Sequence, residues 1–324
     1  MVVAYAQSVP FLPFKRPNNM KRLLFLIPLF LLTACGGSGS DDGPEPKPDP
    51  KTDANNANKN DATDNIYLAR LEMPKTKGGT STVITHTADN FGVNYSFEWD
   101  SDIKVRAQRW TCYQLNKENS NTNGNTRKSL WGGEDPWNYD PDIPQSQQQA
   151  PYSELSKSFY PGSNTDYYEK GHICPSADRL YNKDVNEQTF YMTNIMPMVH
   201  NFNSGIWSKM EDKVRSWVNA ADNMFVCKGG TIDKADQILG KTINSHIVPR
   251  YYFMALLIQK GNTYKALGFW VEHLNEDHSN DKLADYVVSI DELESKTGID
   301  FFCNLPDDVE TEVEAATVKS DWSL

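Results

Sequence analysis

The apolar positions of this chain fall into a few dense runs separated by long polar stretches. Residues 248–272, VPRYYFMALLIQKGNTYKALGFWVE, form two apolar runs broken by Lys-Gly-Asn-Thr, which predicts a β-hairpin. Residues 223–232, NMFVCKGGTI, run apolar into a Gly-Gly pair and predict a buried strand followed by a loop. Residues 95–116, YSFEWDSDIKVRAQRWTCYQLN, alternate and are rich in aromatics, and read as strands. Residues 289–302, SIDELESKTGIDFF, carry helix punctuation: Ser289 or Asp291 at the start, an acidic first turn, and Gly298 at the stop. A second helix is expected after Asn203 or Ser204, either of which can cap it, with Ile206, Trp207, Met210, Val214 and Trp217 as its apolar stripe. A polar loop (residues 117–129) and an irregular stretch rich in Pro and Gly (residues 131–154) lie between these elements. Strands dominate, with helices among them, so the expected class is α+β, a mainly antiparallel central sheet flanked by helices.

The N-terminal region follows other rules. Lys21-Arg22 precedes an apolar run of 12 residues from Leu23 to Ala34, too short to span a bilayer but right for a signal peptide. It ends in Leu32-Thr33-Ala34-Cys35, which resembles a bacterial lipobox with Cys35 as the lipidated residue, and Met20 reads as the true start. Residues 36–64 contain no Ile, Leu, Val, Phe, Tyr or Trp, so nothing there offsets the entropy of ordering, and they read as a disordered tether. The SGSDDG after Cys35 reads equally as a surface-export signal or as an ordinary acidic linker. The expected organisation is a signal peptide over 1–35, a tether over 36–64, one catalytic domain over 65–310, and an acidic tail over 311–324. The protein is expected to be exported and lipid-anchored, in the outer membrane and on either of its faces. Nothing in the pattern sets an oligomeric state.

Charge narrows the chemistry. The formal net charge is −11; residues 1–35 carry +4 and residues 36–64 carry −4, so the whole −11 belongs to the remainder, with −5 of it after Leu305. Bulk charge therefore excludes binding to a polyanion over a broad basic face. A nucleic acid would need a local site with a cation. Besides Cys35 the cysteines are Cys112, Cys174, Cys227 and Cys303, which in an exported protein allow up to two disulfides in three pairings. No C-x-x-C occurs, which argues against structural zinc.

Residues 167–179, YYEKGHICPSADR, place His172 beside Glu169 and Lys170. Asn203, Trp207, Glu211 and Arg215 then follow at intervals of four along one side of the expected helix. An amide oxygen near a helix start and a carboxylate two turns on suit a hydrated hard cation, with one direct ligand and one group binding through water. The segments EKGHICPSADR, TFYMTNIMPM and NFNSGIWSKMED together resemble the DNA/RNA non-specific endonuclease family, the endonuclease G type with a ββα-metal site, over roughly residues 90–310.

That resemblance implies an Mg²⁺-dependent endonuclease that hydrolyses DNA and RNA without sequence preference and leaves 5′-phosphate and 3′-hydroxyl ends, with Mn²⁺ as a substitute metal. It implies His172 as general base, Asn203 as direct metal ligand, Glu211 as acceptor from a metal-bound water, and Arg215 as a partner for the phosphate. Lys170 and Glu169 stand where the family usually has Arg and Asp; lysine keeps the charge but loses the bidentate fork. Glu169 and Asn194 are expected behind the residues that touch metal and substrate, Asn194 equally as a turn former. Arg109 is equally a phosphate contact or surface charge, Asp178 and Arg179 are expected to pair with each other, and His200 reads as loop. The competing reading is a lipoprotein that keeps the fold as a non-catalytic binding module, favoured by the changes at Glu169 and Lys170 and by the acidic surface.

Overall fold

The computed structural model describes residues 55–151, 155–316 and 319–324; the signal peptide and lipobox lie outside them. In chain order the strands and helices are β1 (Ser81–Ala88), β2 (Gly92–Asp100), β3 (Ala107–Leu115), α1 (Arg127–Trp131), β4 (Tyr168–His172), α2 (Lys183–Gln188), β5 (Ile195–Val199), α3 (Ser208–Trp217), β6 (Asn223–Gly230), β7 (Ile238–Lys241), β8 (Ile247–Pro249), β9 (Tyr251–Lys260), β10 (Thr263–Glu272), β11 (Val287–Val288), α4 (Ile290–Thr297) and α5 (Asp307–Ala315). Seven strands form one antiparallel sheet in the order β1-β2-β3-β6-β9-β10-β11, and β4–β5 and β7–β8 are separate ribbons. The expected hairpin is the β9–β10 pair, in register from Tyr251↔Glu272 to Lys260↔Thr263, and Gly261 supplies the positive φ its turn needs.

The central strands are apolar on both faces because both faces are covered. In β9, Tyr252, Met254 and Leu256 enter one core, while Phe253, Ala255 and Leu257 enter another. The first core also takes β5, the turn after it and α3 through Met196, Met198, Phe202, Trp207, Met210 and Val214. The second takes α4 and the segment after it through Ile290, Leu293, Phe301, Phe302 and Leu305. Alternation thus sends successive residues of one strand into two separate layers. Helix α4 starts at the expected cap, with the Ser289 side chain accepting from the Glu292 N–H at 3.0 Å, and stops at Gly298 in the left-handed conformation.

Two expectations are corrected, and the cysteines are placed. Residues 55–64 of the expected tether belong to the fold: Asn56 Nδ2 donates to the Leu305 carbonyl at 2.6 Å, and Asn60, itself buried, donates to the Pro74 carbonyl at 2.9 Å. Asparagine amides rather than apolar burial fix this segment, which hydrophobicity could not reveal. The last residues are not a loose acidic tail either. Helix α5 runs to Ala315, and Trp322 is buried against Trp217, whose indole N–H donates to the Trp322 carbonyl at 2.9 Å. Finally, Cys112, Cys174, Cys227 and Cys303 are all free thiols, buried, with burial pushing each pKa up.

Trp322→Ala should destabilise the protein by about 3 kcal/mol, the usual cost of emptying a buried indole site, read as a drop in the urea midpoint at unchanged m-value. A midpoint equal to wild type would show that the segment contributes nothing to the fold.

Candidate active site

Strands β4 and β5 pair antiparallel from Tyr168↔Val199 to His172↔Ile195, and the chain then turns directly into α3. Gly171 lets the two strands pack closely here: a Cβ there would lie 2.3 Å from Met198 Sδ, so the buried Met198 side chain would have to move. Residues Asn201–Trp207 form a wide π-type turn broken at Gly205, so Asn203 sits inside a distorted helical turn instead of capping a helix. Such turns present side chains that a regular helix would aim elsewhere. Trp207, buried in the first core, donates its indole N–H to the His172 carbonyl at 3.2 Å and so joins the end of β4 to the start of α3.

A cleft of about 480 Å³ opens over this junction. His172, Asn203 and Glu211 all line it, together with Glu169, Lys170, Arg127 and Trp137. The His172 ring is wedged between Trp137 and Phe190, each 5.2 Å away centroid to centroid, and its Nε2 is buried without a hydrogen-bond partner. Burial, then the positive charges of Arg127, Lys228 and Lys170, push its pKa down to about 3 against the pull of Asp135, so the imidazole is held neutral. A neutral imidazole is the form that can accept a proton.

Glu169 reaches the amide of Asn203, whose Nδ2 donates to Glu169 Oε2 at 3.1 Å, while Glu169 Oε1 lies 2.8 Å from His200 Nδ1. With its NH₂ turned to Glu169, Asn203 has its amide oxygen available as a hard donor. Glu211 Oε1 accepts from the ammonium of Lys228 at 2.6 Å, and among the described residues no side chain or backbone group donates to Glu211 Oε2. Burial pushes the Glu211 carboxyl up, and Lys228 pulls it only part of the way back. A neutral oxygen and a shielded carboxylate in one polar cleft match a cation that keeps most of its water.

Several expected placements differ. Arg215 does not line the cleft: its Nη1 donates to Asp178 Oδ1 at 2.7 Å and its Nη2 to Asp212 Oδ1. Asp178 therefore pairs with Arg215, and the fully buried Arg179 donates to the backbone carbonyls of Asn94, Asp178 and Gln114 and to the Asn94 side chain. Arg109 is buried between Glu98 at 2.8 Å and Asp233 at 3.0 Å, neither surface charge nor a group facing the cleft. Asn194 clips the backbone after His172, accepting from the Cys174 N–H at 2.8 Å and donating to the Cys174 carbonyl at 2.9 Å. His86 with Asp140 and Asp142 forms a further His–carboxylate group, away from the cleft lining; His86 Nε2 lies 2.9 Å from Asp140 and ties β1 to the loop around residue 140.

Three residues of the site escaped the sequence reading. Arg127 opens α1, which Thr126 and Ser129 cap reciprocally, and packs 4.7 Å over the Phe190 ring while paired to Asp135. Trp137 lies under the Lys170 ammonium, 4.5 Å from ring centroid to Nζ. Lys228 follows Val226 by two residues in β6, so it faces the same layer as the cleft. The Thr126-x-x-Ser129 cap was a readable signal for α1; a lysine inside an apolar strand was the signal at 228.

A model of the DNA/RNA non-specific endonuclease family matches residues 76–308. The chain belongs to this family. It is 30% identical to a nuclease of Nostoc sp. over 76% of its own length and 84% of that nuclease, and 25% identical to a nuclease of Serratia marcescens over 69% and 79%. Human mitochondrial endonuclease G is 23% identical over 63% of this chain and 66% of its own. The solved EndoG/EndoGI complex shares the fold, with a TM-score of 0.55 at 17% identity over 72% of this chain and 91% of that one. The protein is thus a nuclease that acts on DNA and RNA without sequence specificity.

His273 makes this architecture acid-sensitive. It is fully buried, accepts from the Val199 N–H at 2.9 Å, and has its Nδ1 3.1 Å from the Pro249 carbonyl; burial pushes its pKa down to about 4. Its folded pKa lies below the ordinary value of about 6.5, so unfolding takes up a proton. The stability it contributes is complete above about pH 6.5 and is lost as pH falls toward the folded value. Between about pH 7 and about pH 5 the urea midpoint of the wild type, measured in chelator, should fall relative to that of His273→Gln, because the raised carboxyls of Glu294 and Glu314 act the other way in both proteins alike. Parallel pH profiles for the two proteins would remove His273 as the cause.

Proposed function

We propose that this endonuclease cleaves phosphodiester bonds with His172 as general base and a Mg²⁺ ion held by Asn203 directly and by Glu211 through water. The observation that carries the reading is that His172, Asn203 and Glu211 line one cleft. The Nε2–H or Nδ1–H tautomer of a neutral His172 leaves one ring nitrogen to take the proton of the attacking water, and the aromatic walls of Trp137 and Phe190 keep the ring oriented. Asn203 is oriented by Glu169, and Glu211 by Lys228. When bound, the ion supplies Lewis acidity at the phosphate and an acidic water for the leaving 3′-oxygen. Arg127 and Lys170 are the basic groups of the cleft lining that meet the substrate's charge. Cleavage with the 3′-oxygen leaving gives 5′-phosphate and 3′-hydroxyl ends. Mn²⁺ should substitute, since the same oxygen donors accept it.

Purified protein incubated with plasmid and with RNA should degrade both in Mg²⁺ and neither in EDTA. His172→Ala should lower the rate by about 10²–10⁴, the range for loss of a general base. Full activity in that variant would remove His172 from the chemistry. Retained binding without cutting by the wild type in Mg²⁺ would favour the binding-module reading.

We infer separately that the protein is exported and anchored by lipid at Cys35, because a basic start, a short apolar run and a small-residue site precede that cysteine in the order a lipobox needs. Radiolabelled palmitate should enter the wild type and not Cys35→Ala. Equal labelling of the two would refute the anchor.

A further inference from the structure

The far side of the main sheet carries a group of acidic side chains apart from the cleft. Helices α4 and α5 pack there, and Asp291 and Glu294 from α4 meet Glu314 from α5, with carboxylate oxygens of all three within 4.8 Å of one another. Two oxygens on opposite sides of a Ca²⁺ ion, each about 2.4 Å away, would span that distance. Asp291 is exposed, Glu294 half-buried and Glu314 buried, so the group opens to solvent at one end only. No basic side chain forms an ion pair with any of the three among the described residues.

The decisive feature is Glu314. Its residue exposure is 7%, and its Oε1 is fully buried with no hydrogen-bond partner. An unpartnered carboxylate oxygen inside a protein is strongly unfavourable unless something compensates it. The neighbours make matters worse: Asp300 and Glu310 stand close enough to add their own repulsion. Burial first, then Glu294 and Glu310, push Glu314 up to about 9, and burial pushes Glu294 up to about 7. Glu294 Oε1 does have a donor, the Phe301 N–H at 2.6 Å, so the deficit is concentrated on Glu314.

We propose that Asp291, Glu294 and Glu314 bind a Ca²⁺ ion that fastens α5 to α4. Three carboxylates without regular geometry suit Ca²⁺, which takes six to eight oxygens and tolerates irregular arrangements, better than Mg²⁺, which demands an octahedron and keeps its waters. The site is structural and stands apart from hydrolysis: none of the three residues lines the cleft. Its effect is on the second core, because α5 covers that core through Val313.

The test uses full-length protein stripped of metal with EDTA and dialysed. Millimolar CaCl₂ should raise Tm by about 5–10 °C, the shift expected for a ligand well above its Kd on a domain of this size, and MgCl₂ at the same concentration by much less. Glu314→Gln should abolish the Ca²⁺ shift and leave plasmid cleavage in Mg²⁺ at wild-type rate; if that variant fails to fold, Asp291→Asn at the exposed end serves the same comparison. Three results would overturn the proposal. One is equal Tm with and without Ca²⁺. Another is a Ca²⁺ shift that survives in Glu314→Gln and disappears in Asn203→Ala, which puts the ion in the nuclease cleft. The last is a Tm that rises as pH is lowered with no response to Ca²⁺, which makes the group a carboxyl pair sharing a proton.

Discussion

The site depends on one junction, where the end of β4 is tied to the start of α3. His172 is the last residue of β4, and Asn203 and Glu211 belong to the turn and helix that follow β5. Nothing local in the chain brings these segments together. The β4–β5 ladder sets their register, and the indole of Trp207 closes the gap by donating to the carbonyl of His172 itself. The ring of Trp207 is gripped in turn by Phe202 and Tyr252, so the bond is fixed by packing that continues into the main sheet. A donor buried in such a core has no water to exchange with, which is why a single modest hydrogen bond can hold the geometry.

Around that junction, charge is arranged against the chain's own balance. The protein carries a formal charge of −11, yet Arg127, Lys170 and Lys228 all act on His172. Lys228 is 1% exposed, and its ammonium meets Glu211 and the face of Trp207 at 4.7 Å. An ammonium is tolerated there only because a carboxylate accepts from it and an aromatic face lies beside it. The result is a cleft whose acidic group is shielded on one oxygen.

Much of this was legible because the fold uses simple periodicities. The β9–β10 hairpin and helix α4 follow from apolar alternation and from Ser289 and Gly298 as punctuation. The spacing of Asn203 and Glu211 was legible too, although the turn around Asn203 is π-type and not a regular helix start. Arg215 shows the limit of spacing. It lies one turn from Glu211 on the same helix, yet Asp178, brought in from another segment, takes its guanidinium. Charge identity does not say which partner arrives first. Arg127 and Trp137 escaped for a different reason: they come from the long stretch between β3 and β4, where no period exists and only tertiary contact assigns a role. The ordered segment before residue 65 was hidden because asparagine amides hold it, and hydrophobicity carries no record of such bonds.

The fate of Arg215 also explains how Glu211 is held in place. Tyr113, from β3, donates to Asp178 Oδ2 at 2.9 Å, and Arg215 donates to Asp178 Oδ1 at 2.7 Å. Asp178 therefore bridges the main sheet to helix α3 one turn beyond Glu211. At the other end of the same helix, Trp207 bridges to β4. A helix fixed at two points about two turns apart cannot roll about its axis, and its Met210 and Val214 face is locked into the core. The direction in which Glu211 points is then set by the sheet, through a buried aspartate that never touches the cleft. An arginine that the family resemblance placed at the phosphate acts from behind instead, by holding the helix whose carboxylate, one turn away, lines the cleft.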